Sequence, residues 1–197
     1  MTAAASTPKG ERRRQLLVAA AAELLGEGGF DAIRHRAVAE RADLPLASTT
    51  YYFDSLDDLI AAAVEHRGRL ELSEGRRRLD ELAGGGHDRS ELVELLLDLL
   101  LGTPAGDREL ESILVRYERF VTTPRRPYLA PLMRAMSAEL EDLIAETLRL
   151  AGAPSDRDRV RHLIALVDGR VVNALIESEP DPRAQARQPL RELLRDG

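Results

Sequence analysis

The sequence predicts an all-α protein, with a compact N-terminal three-helix unit joined by a long helix to a larger helical body. Apolar residues recur with the helical period in every long segment, and no stretch shows the alternation typical of a strand. Clusters of glycine and proline separate these segments, each of which is about as long as one helix. With 197 residues, of which 44% are hydrophobic, the chain is long enough to bury a core.

The first helix is predicted from about Lys9 to Gly26. Its apolar residues fall on one stripe at i, i+3, i+4, i+7 and i+8: Leu17, Ala20, Ala21, Leu24 and Leu25. The continuous apolar run extends only from Leu16 to Ala22 and is cut by Glu23. This and the stripe argue against the alternative of a signal peptide, and no segment has the ~18 apolar residues of a membrane span. We therefore expect a cytoplasmic protein without a membrane partner. The glycine-rich "GEGG" is expected to end the helix.

Two short helices follow, from about His35 to Ala42 and from about Leu46 to Tyr52. The break between them contains Asp43, a residue type that tolerates a left-handed backbone better than most. Two short helices joined by a tight turn are typical of a helix-turn-helix motif, whose second helix enters the major groove of DNA.

Asp54 and Ser55 are good N-caps for a fourth, long helix that runs to the glycines Gly84 to Gly86. Those glycines and the adjacent His87 are read as a linker, since no strand or Lys-Ser/Thr pair supports a phosphate-binding loop. The remaining predicted helices are Arg89 to Leu101, Asp107 to Val121, Tyr128 to Leu150, Ser155 to Ser178 and Pro182 to Leu194.

Composition excludes several classes of chemistry. The absence of cysteine rules out disulfides, thiolate metal sites and cysteine nucleophiles. The scattered histidines His66, His87 and His162 show no metal-ligand spacing, so neither a metal nor another cofactor is expected. An all-helical hydrolase or lyase is disfavoured because the chain has no nucleophile elbow and no recognisable carboxylate dyad.

Charge is unevenly distributed along the chain. The total is −6, which by itself argues against nucleic-acid binding. Residues 1–53, however, carry a net charge of +1, and residues 54–197 carry −7. The local field beside a phosphate backbone matters more than the total, so DNA binding by the N-terminal unit remains consistent with the composition.

The second short helix has side chains suited to a DNA groove. Its residues 47–50 are short, which lets the backbone approach base edges, and serine and threonine can also donate to phosphates. Three of the seven aromatic residues of the chain follow together. Adjacent rings on a helix point in different directions. We expect Phe53 to anchor the helix inward, with Tyr51 and Tyr52 facing outward.

The segment from Leu16 to Ala63 resembles the DNA-binding domain of the TetR family of bacterial transcriptional regulators. The resemblance rests on the apolar first helix, Gly29-Phe30, Val38-Ala39, Ala42, the Tyr-Tyr-Phe ending and Leu59. It implies a homodimeric repressor that binds a double-stranded, palindromic DNA operator and releases it when a small-molecule effector binds. The DNA-binding candidates are Arg34, His35, Arg36, Leu46, Ala47, Ser48, Thr49, Thr50, Tyr51 and Tyr52.

Four positions depart from the family pattern. Arg34 stands where the family usually has a Ser or Thr cap, Asp43 replaces a turn glycine, Thr50 a tyrosine and Leu56 a phosphate-gripping lysine. The cluster from Arg34 to Arg36 is expected to compensate by contacting phosphate. A solvated helix end is the alternative for its two arginines, and packing in the three-helix core is the alternative for His35. For Arg12 to Arg14, a frayed terminus and a phosphate-tracking arm both remain open.

The body supplies candidates for the other two functions that the resemblance implies. An effector pocket needs apolar walls with a few polar groups, and its candidates, for which core packing is the alternative, are Arg116, Tyr117, Phe120, Met133, Met136 and His162. The last two helices carry an apolar stripe, and the resemblance assigns it to the dimer interface through Val160, Ile164, Val167, Val171, Leu175, Leu190 and Leu194.

These expectations place a helix-turn-helix DNA-binding domain at residues 1–54 and a helical effector-binding and dimerisation domain at residues 55–197. The alternative function is a helical interaction module that keeps the fold without sequence-specific DNA binding. Its basis is the net charge of −6 and the leucine at position 56.

Overall fold

A computed structural model of the chain describes residues 7–86, 88–104, 106 and 109–195. These residues form α-helices joined by turns and contain no strand, which confirms the predicted all-α class. Two predicted features, the linker residue His87 and the helix start at Asp107, lie outside the described residues. The helices are α1 (Pro8–Ala32), α2 (His35–Arg41), α3 (Ala47–Tyr52), α4 (Leu56–Ala83), α5 (Arg89–Leu101), α6 (Glu109–Thr122), α7 (Ala130–Leu150), α8 (Arg157–Ile176) and α9 (Pro182–Arg195).

Helix α1 begins and ends on features that the sequence carries. The Thr7 side chain accepts a hydrogen bond from the Gly10 amide at 3.1 Å and caps the first turn. The helix continues through Gly26 and breaks at Gly28 and Gly29, where Gly29 has a φ of 64°. Only a residue without a Cβ adopts this conformation readily. Regular helical geometry therefore runs to Glu27, one residue past the expected end, and the rest of α1 to Ala32 follows the break at the glycines.

Of the described residues, 7–69 and 115–132 form one compact unit. Within it, α1 packs on α2 and α2 packs on α3. The guanidinium of Arg41 on α2 bridges two carboxylates of α1, at 3.2 Å from Glu23 and 2.8 Å from Glu27. The core of this unit contains the apolar stripe of α1, in which Leu17, Ala21 and Leu25 are fully buried. It also contains the buried Val38 and Ala39 of α2. These contacts fix α2 on α1. Helix α3 is held in turn by its packing on α2.

The described residues within 70–114 and 133–195 form a second compact unit. Helix α9 packs against both α5 and α8. Helix α5 is apolar around most of its circumference and nearly all of its leucines are buried, which is typical of a central helix. Its N-terminus is held by a capping box, in which the Asp88 carboxylate accepts from the Glu91 amide at 2.9 Å and the Glu91 carboxylate accepts from the Asp88 amide at 2.8 Å.

A buried arginine ties the elements of the second unit together. Arg183 at the start of α9 is only 3% exposed, and it donates to the Gly102 carbonyl at 2.8 Å. It also pairs with Asp98 of α5, which in turn pairs with Arg78 of α4. Burial lowers the pKa of the Arg183 guanidinium. Across the described part of the chain, no helix has the length and apolarity needed to cross a membrane.

Candidate nucleic-acid interface

The turn between α2 and α3 is built around one left-handed residue. Asp43 has a φ of 52°, as the sequence predicted for this position. The amides of Asp43 and Leu44 donate to the carbonyls of Glu40 and Ala39 at 3.2 and 3.0 Å and so close the end of α2. An aspartate can hold this conformation at modest cost. The replacement of the usual glycine therefore preserves the tight turn.

The inward face of α3 is formed by Thr49 and Phe53. Thr49 is 0% exposed, and its hydroxyl donates to the Leu46 carbonyl at 2.8 Å. Phe53 is 5% exposed, which confirms its predicted anchoring role. Thr49, by contrast, was expected to contact DNA, and the structure corrects this. A side chain with no accessible surface cannot reach a base edge unless the helix itself leaves its core.

The outward face of α3 carries four of the predicted DNA-binding side chains. Leu46 is 53% exposed and Tyr51 is 51% exposed, while Ala47 and Thr50 lie between them on the same face. Ser48 and Tyr52 are half-buried at its edges. The Tyr51 and Tyr52 rings meet edge to face with their centroids 5.0 Å apart. This contact restricts how the Tyr51 ring can point.

Exposed cations lie at the start of α2, the helix on which α3 packs. Arg34 occupies the N-cap position without a side-chain capping bond, and its Nε donates instead to the Asp31 carbonyl at 3.2 Å. Arg36 is exposed and pairs with Glu40 at 2.9 Å, which raises the pKa of its guanidinium. An exposed pair of this kind contributes little free energy, so a phosphate can compete with Glu40 for Arg36.

His35 is half-buried, and its Nδ1 atom is buried with no hydrogen-bond partner among the described residues. This placement favours the packing interpretation of His35 over direct contact with DNA. Leu56 is also half-buried, at the first position of α4. The preceding Ser55 caps that helix by accepting from the Asp58 amide at 3.1 Å, as the sequence predicted.

The arginines Arg12 to Arg14 lie inside α1 rather than in a frayed terminus or an extended arm. Arg12 and Arg13 are exposed. The Arg14 guanidinium lies 5.1 Å from the centroid of the Phe53 ring, a distance at which cation and ring attract each other. Arg14 therefore joins α1 to the residue that ends α3, and only the first two arginines remain available to a phosphate.

The predicted effector-pocket residues have different positions in the fold. In the first unit, Phe120 at the end of α6 is in ring contact with Tyr117 at 6.1 Å and lies 5.4 Å from the Arg116 guanidinium. In the second unit, Met133 and Met136 are half-buried on α7. His162 is exposed on α8. Its expected place in an enclosed pocket is therefore wrong, because the side chain points away from the buried face of its helix.

Five of the seven predicted dimer-interface residues are buried inside the protomer: Val160, Val167, Val171, Leu190 and Leu194. These side chains hold α8 and α9 together, and a side chain without accessible surface cannot bury more of it against a second chain. Ile164 and Leu175 are half-buried. The prediction that this stripe forms the dimer interface is therefore wrong for these five residues, because they are buried within the protomer.

Helix α8 has a second, exposed apolar stripe on its outer side. Leu166, Val172 and Ile176 are exposed, and Ile176 is 74% exposed. Ala165 and Gly169 lie on the same side, at the spacing of one helix face. None of the three exposed residues is among the predicted dimer-interface residues, which follow the buried stripe. The spacing of four residues between Val172 and Ile176 places both on the side of α8 away from Val167 and Val171.

The first of the two short helices carries exposed arginines, and the second carries exposed short and apolar side chains. A left-handed turn joins them. This arrangement defines a helix-turn-helix DNA-binding protein. Comparison with known proteins agrees with this class. Residues 17–63 match the family described as bacterial regulatory proteins, tetR family. Residues 87–196 match the tetracyclin repressor-like C-terminal domain.

Similar proteins include the HTH-type nicotine-responsive transcriptional repressor HdnoR of Paenarthrobacter nicotinovorans, 26% identical over 162 residues that cover 80% of each chain. The crystal structure of the multidrug binding protein EbrR complexed with ethidium is 31% identical, with a TM-score of 0.66 over 92% of this chain and 98% of that one. A TetR-family member of Streptomyces coelicolor A3 is also 31% identical, with a TM-score of 0.61 over 92% of this chain and 97% of that one.

The chain belongs to the TetR family. It is a DNA-binding transcriptional regulator, and the alternative of a helical module that does not read DNA is not favoured by these relationships.

Proposed function

We propose that this protein is a homodimeric repressor that binds a palindromic operator through α3 and is released by a small organic molecule. The observation that supports DNA reading most directly is the exposed face of α3, held outward by buried Thr49 and Phe53 on its other side. Arg34 and Arg36 supply exposed positive charge at the start of α2. We assign DNA binding to residues 1–54 and effector binding with dimerisation to residues 55–197.

The outer stripe of α8 is the proposed dimer surface. Val172 and Ile176, four residues apart, form an exposed apolar row on one helix, and the exposed Leu166 lies to one side of this row. A Cβ built at Gly169, between them, meets nothing within 4 Å, so a partner helix can approach the backbone closely at this position. Pairing this row with its symmetry mate removes apolar surface from water. A stable interface also needs ~1,000 Å² in total, which requires neighbouring parts of α8 and α9 to contribute.

Dimerisation fixes the kind of operator. Two copies related by a two-fold axis present two identical reading helices, so the operator is a palindrome whose half-sites lie about one helical turn apart, at ~34 Å or a multiple of it. Repression then follows if the operator overlaps a promoter.

The effector is proposed from the relatives, whose names describe one as nicotine-responsive and another as multidrug binding. Two separate sets of residues are candidates for contact with such a molecule. The Tyr117 and Phe120 rings offer aromatic surface within the first unit, and half-buried Met133 and Met136 offer soft surface within the second. An effector that binds only the form unable to hold DNA shifts the population toward that form.

Fluorescence anisotropy with duplexes from upstream of the protein's own gene tests the proposal. We expect nanomolar binding to the upstream duplex, and random DNA should compete poorly for the protein. Binding should be lost when an effector is added. A first panel contains nicotine, ethidium, proflavin and malachite green, with the dyes checked for direct DNA binding in the absence of protein. Equal affinity for upstream and random duplexes would overturn the proposal.

A further inference from the structure

We infer that this protein distinguishes its operator mainly through the C5-methyl groups of thymines, with Leu46 and Ala47 as the residues that contact them. The inference rests on the proposed function, because it assumes that the exposed face of α3 lies in the major groove.

The reading segment has no side chain that can make a bidentate hydrogen bond to a base. Residues 44–53 contain no Arg, Lys, Asn, Gln, Asp or Glu. Guanine is most often recognised by Arg or Lys, adenine by Asn or Gln, and cytosine by Glu or Asp. None of these pairings is available to the helix that the fold presents to DNA.

Of the five hydroxyl groups in the segment, those of the two threonines donate to carbonyls within the helix. Thr49 is buried and donates to the Leu46 carbonyl at 2.8 Å. Thr50 is exposed, but its hydroxyl donates to the Ala47 carbonyl at 3.3 Å. With that proton used inside the helix, Thr50 presents its methyl group and its remaining lone pairs. Ser48 is half-buried at the edge of the face.

The centre of the face is apolar, and the Tyr51 hydroxyl is a polar group at its edge. Leu46 and Thr50 are one helical turn apart, as are Ala47 and Tyr51, so the four side chains form one patch. Leu46, half of whose surface is exposed, projects from the point where α3 begins. On this face, the apolar neighbours of its isobutyl group are the Ala47 side chain and the Thr50 methyl group.

Thymine is the base whose major-groove edge offers an apolar group, and alanine and threonine methyl groups are known types of contact for it. Burying a thymine methyl against Leu46 removes apolar surface from water on both partners. Arg34 and Arg36 add affinity through phosphates, which carry no direct sequence information. Discrimination between sequences therefore depends on where thymine methyl groups lie.

The experiment begins with operator selection from a random duplex library by the full-length protein. Each thymine of the selected site is then replaced singly by deoxyuridine, which deletes the methyl group and keeps every hydrogen-bonding group. We expect one or two positions in each half-site at which this change weakens binding about fourfold, the loss of about one buried carbon. Changing the same position in both half-sites is expected to weaken binding about sixteenfold.

A variant identifies the residue that makes the contact. Leu46→Ala should lower affinity for the normal operator and abolish the deoxyuridine penalty at one position, while Leu46→Met should retain it. Leu70→Ala is the matched control, since Leu70 is similarly exposed at 56% but belongs to α4. It should leave the deoxyuridine profile unchanged.

Two results would overturn the inference. In the first, a sequence is selected, deoxyuridine is tolerated at every position, and 7-deazapurines weaken binding. The bases are then read by hydrogen bonds, so the inference is wrong while the proposed function is retained. If the library yields no preferred sequence, the proposed function fails together with the inference.

Discussion

The Thr49 hydroxyl donates a 2.8 Å hydrogen bond to the Leu46 carbonyl while the Leu46 side chain itself projects into solvent. Two residues three apart thus have opposite tasks, one holding the helix against its core and the other facing outward. The exposed surface of α3 is set by this division, and the predictions about DNA follow from it.

Replacing Thr49 should affect stability and leave sequence preference unchanged. Thr49→Val keeps the shape of the buried side chain but removes its hydrogen bond, which should lower the free energy of unfolding by about 1 kcal/mol in urea denaturation. Thr50→Val, on the exposed face, should cost little stability and shift the selected DNA sequence. A changed sequence preference in Thr49→Val, with Thr50→Val neutral, would show that the inward and outward faces have been exchanged.

Arg36→Ala should weaken binding to every duplex by a similar factor. If Arg36 neutralises one phosphate, the slope of log K against log salt concentration should fall in magnitude by about 0.9. The matched control is Arg134→Ala, which removes another exposed arginine, on α7. An unchanged salt slope in Arg36→Ala would place this arginine outside the interface and leave it as a partner of Glu40.

Ile176→Asp should disrupt the dimer because it places a charge in the exposed stripe of α8. We expect the dimer dissociation constant, measured by sedimentation equilibrium, to rise about 30- to 160-fold, the effect of ~2–3 kcal/mol at a buried, unpaired position. Val121→Asp is the control, because Val121 is 72% exposed on α6 and outside the stripe. Equal effects of the two substitutions would contradict the proposed surface.

Two arginines on α9 should differ in their contributions to stability. Arg183→Ala removes a buried group that pairs with Asp98 and binds the Gly102 carbonyl, and should cost about 3 kcal/mol of unfolding free energy. Arg187→Ala, one turn later, removes a partly exposed pair with Glu94 at 2.7 Å and should cost about 1 kcal/mol or less. Urea denaturation of both variants measures the difference, and similar costs would show that burial of Arg183 is unimportant.

The Arg76–Glu146 pair should make stability depend on pH. Arg76 donates to Glu146 and lowers the pKa of that carboxyl. Because the folded-state pKa lies below the unfolded value of about 4.3, the stabilisation is present above that value and is lost as the pH falls through the folded-state pKa.

The advantage of the wild type over Glu146→Gln, below about 1 kcal/mol for a partly exposed pair, should therefore shrink as the pH falls below the unfolded-state pKa of about 4.3. Urea midpoints at each pH measure it. The same substitution made in an Arg76→Ala background should show no such trend, and an advantage that grows toward low pH would reverse the assigned sign.

Local chemistry in the sequence determined where elements begin and end. The bounds of α5 were predicted to the residue, because Asp88 and Glu91 form a capping box and Gly102 follows the last leucine. The left-handed Asp43 and the inward Phe53 were also predictable, since each depends on a single residue type in a short turn or at a helix end.

Only the tertiary structure decided which faces are used. Helix α3 has six residues, too few for its period to set a phase, and its adjacent threonines are chemically identical, so contacts with the core buried Thr49 and exposed Thr50. Helix α8 has two apolar stripes, and packing against α9 selected the one containing Val167 and Val171. Arg183 and Asp98 are 85 residues apart, and hydrophobic periodicity within either helix carries no information about a pair that forms between them.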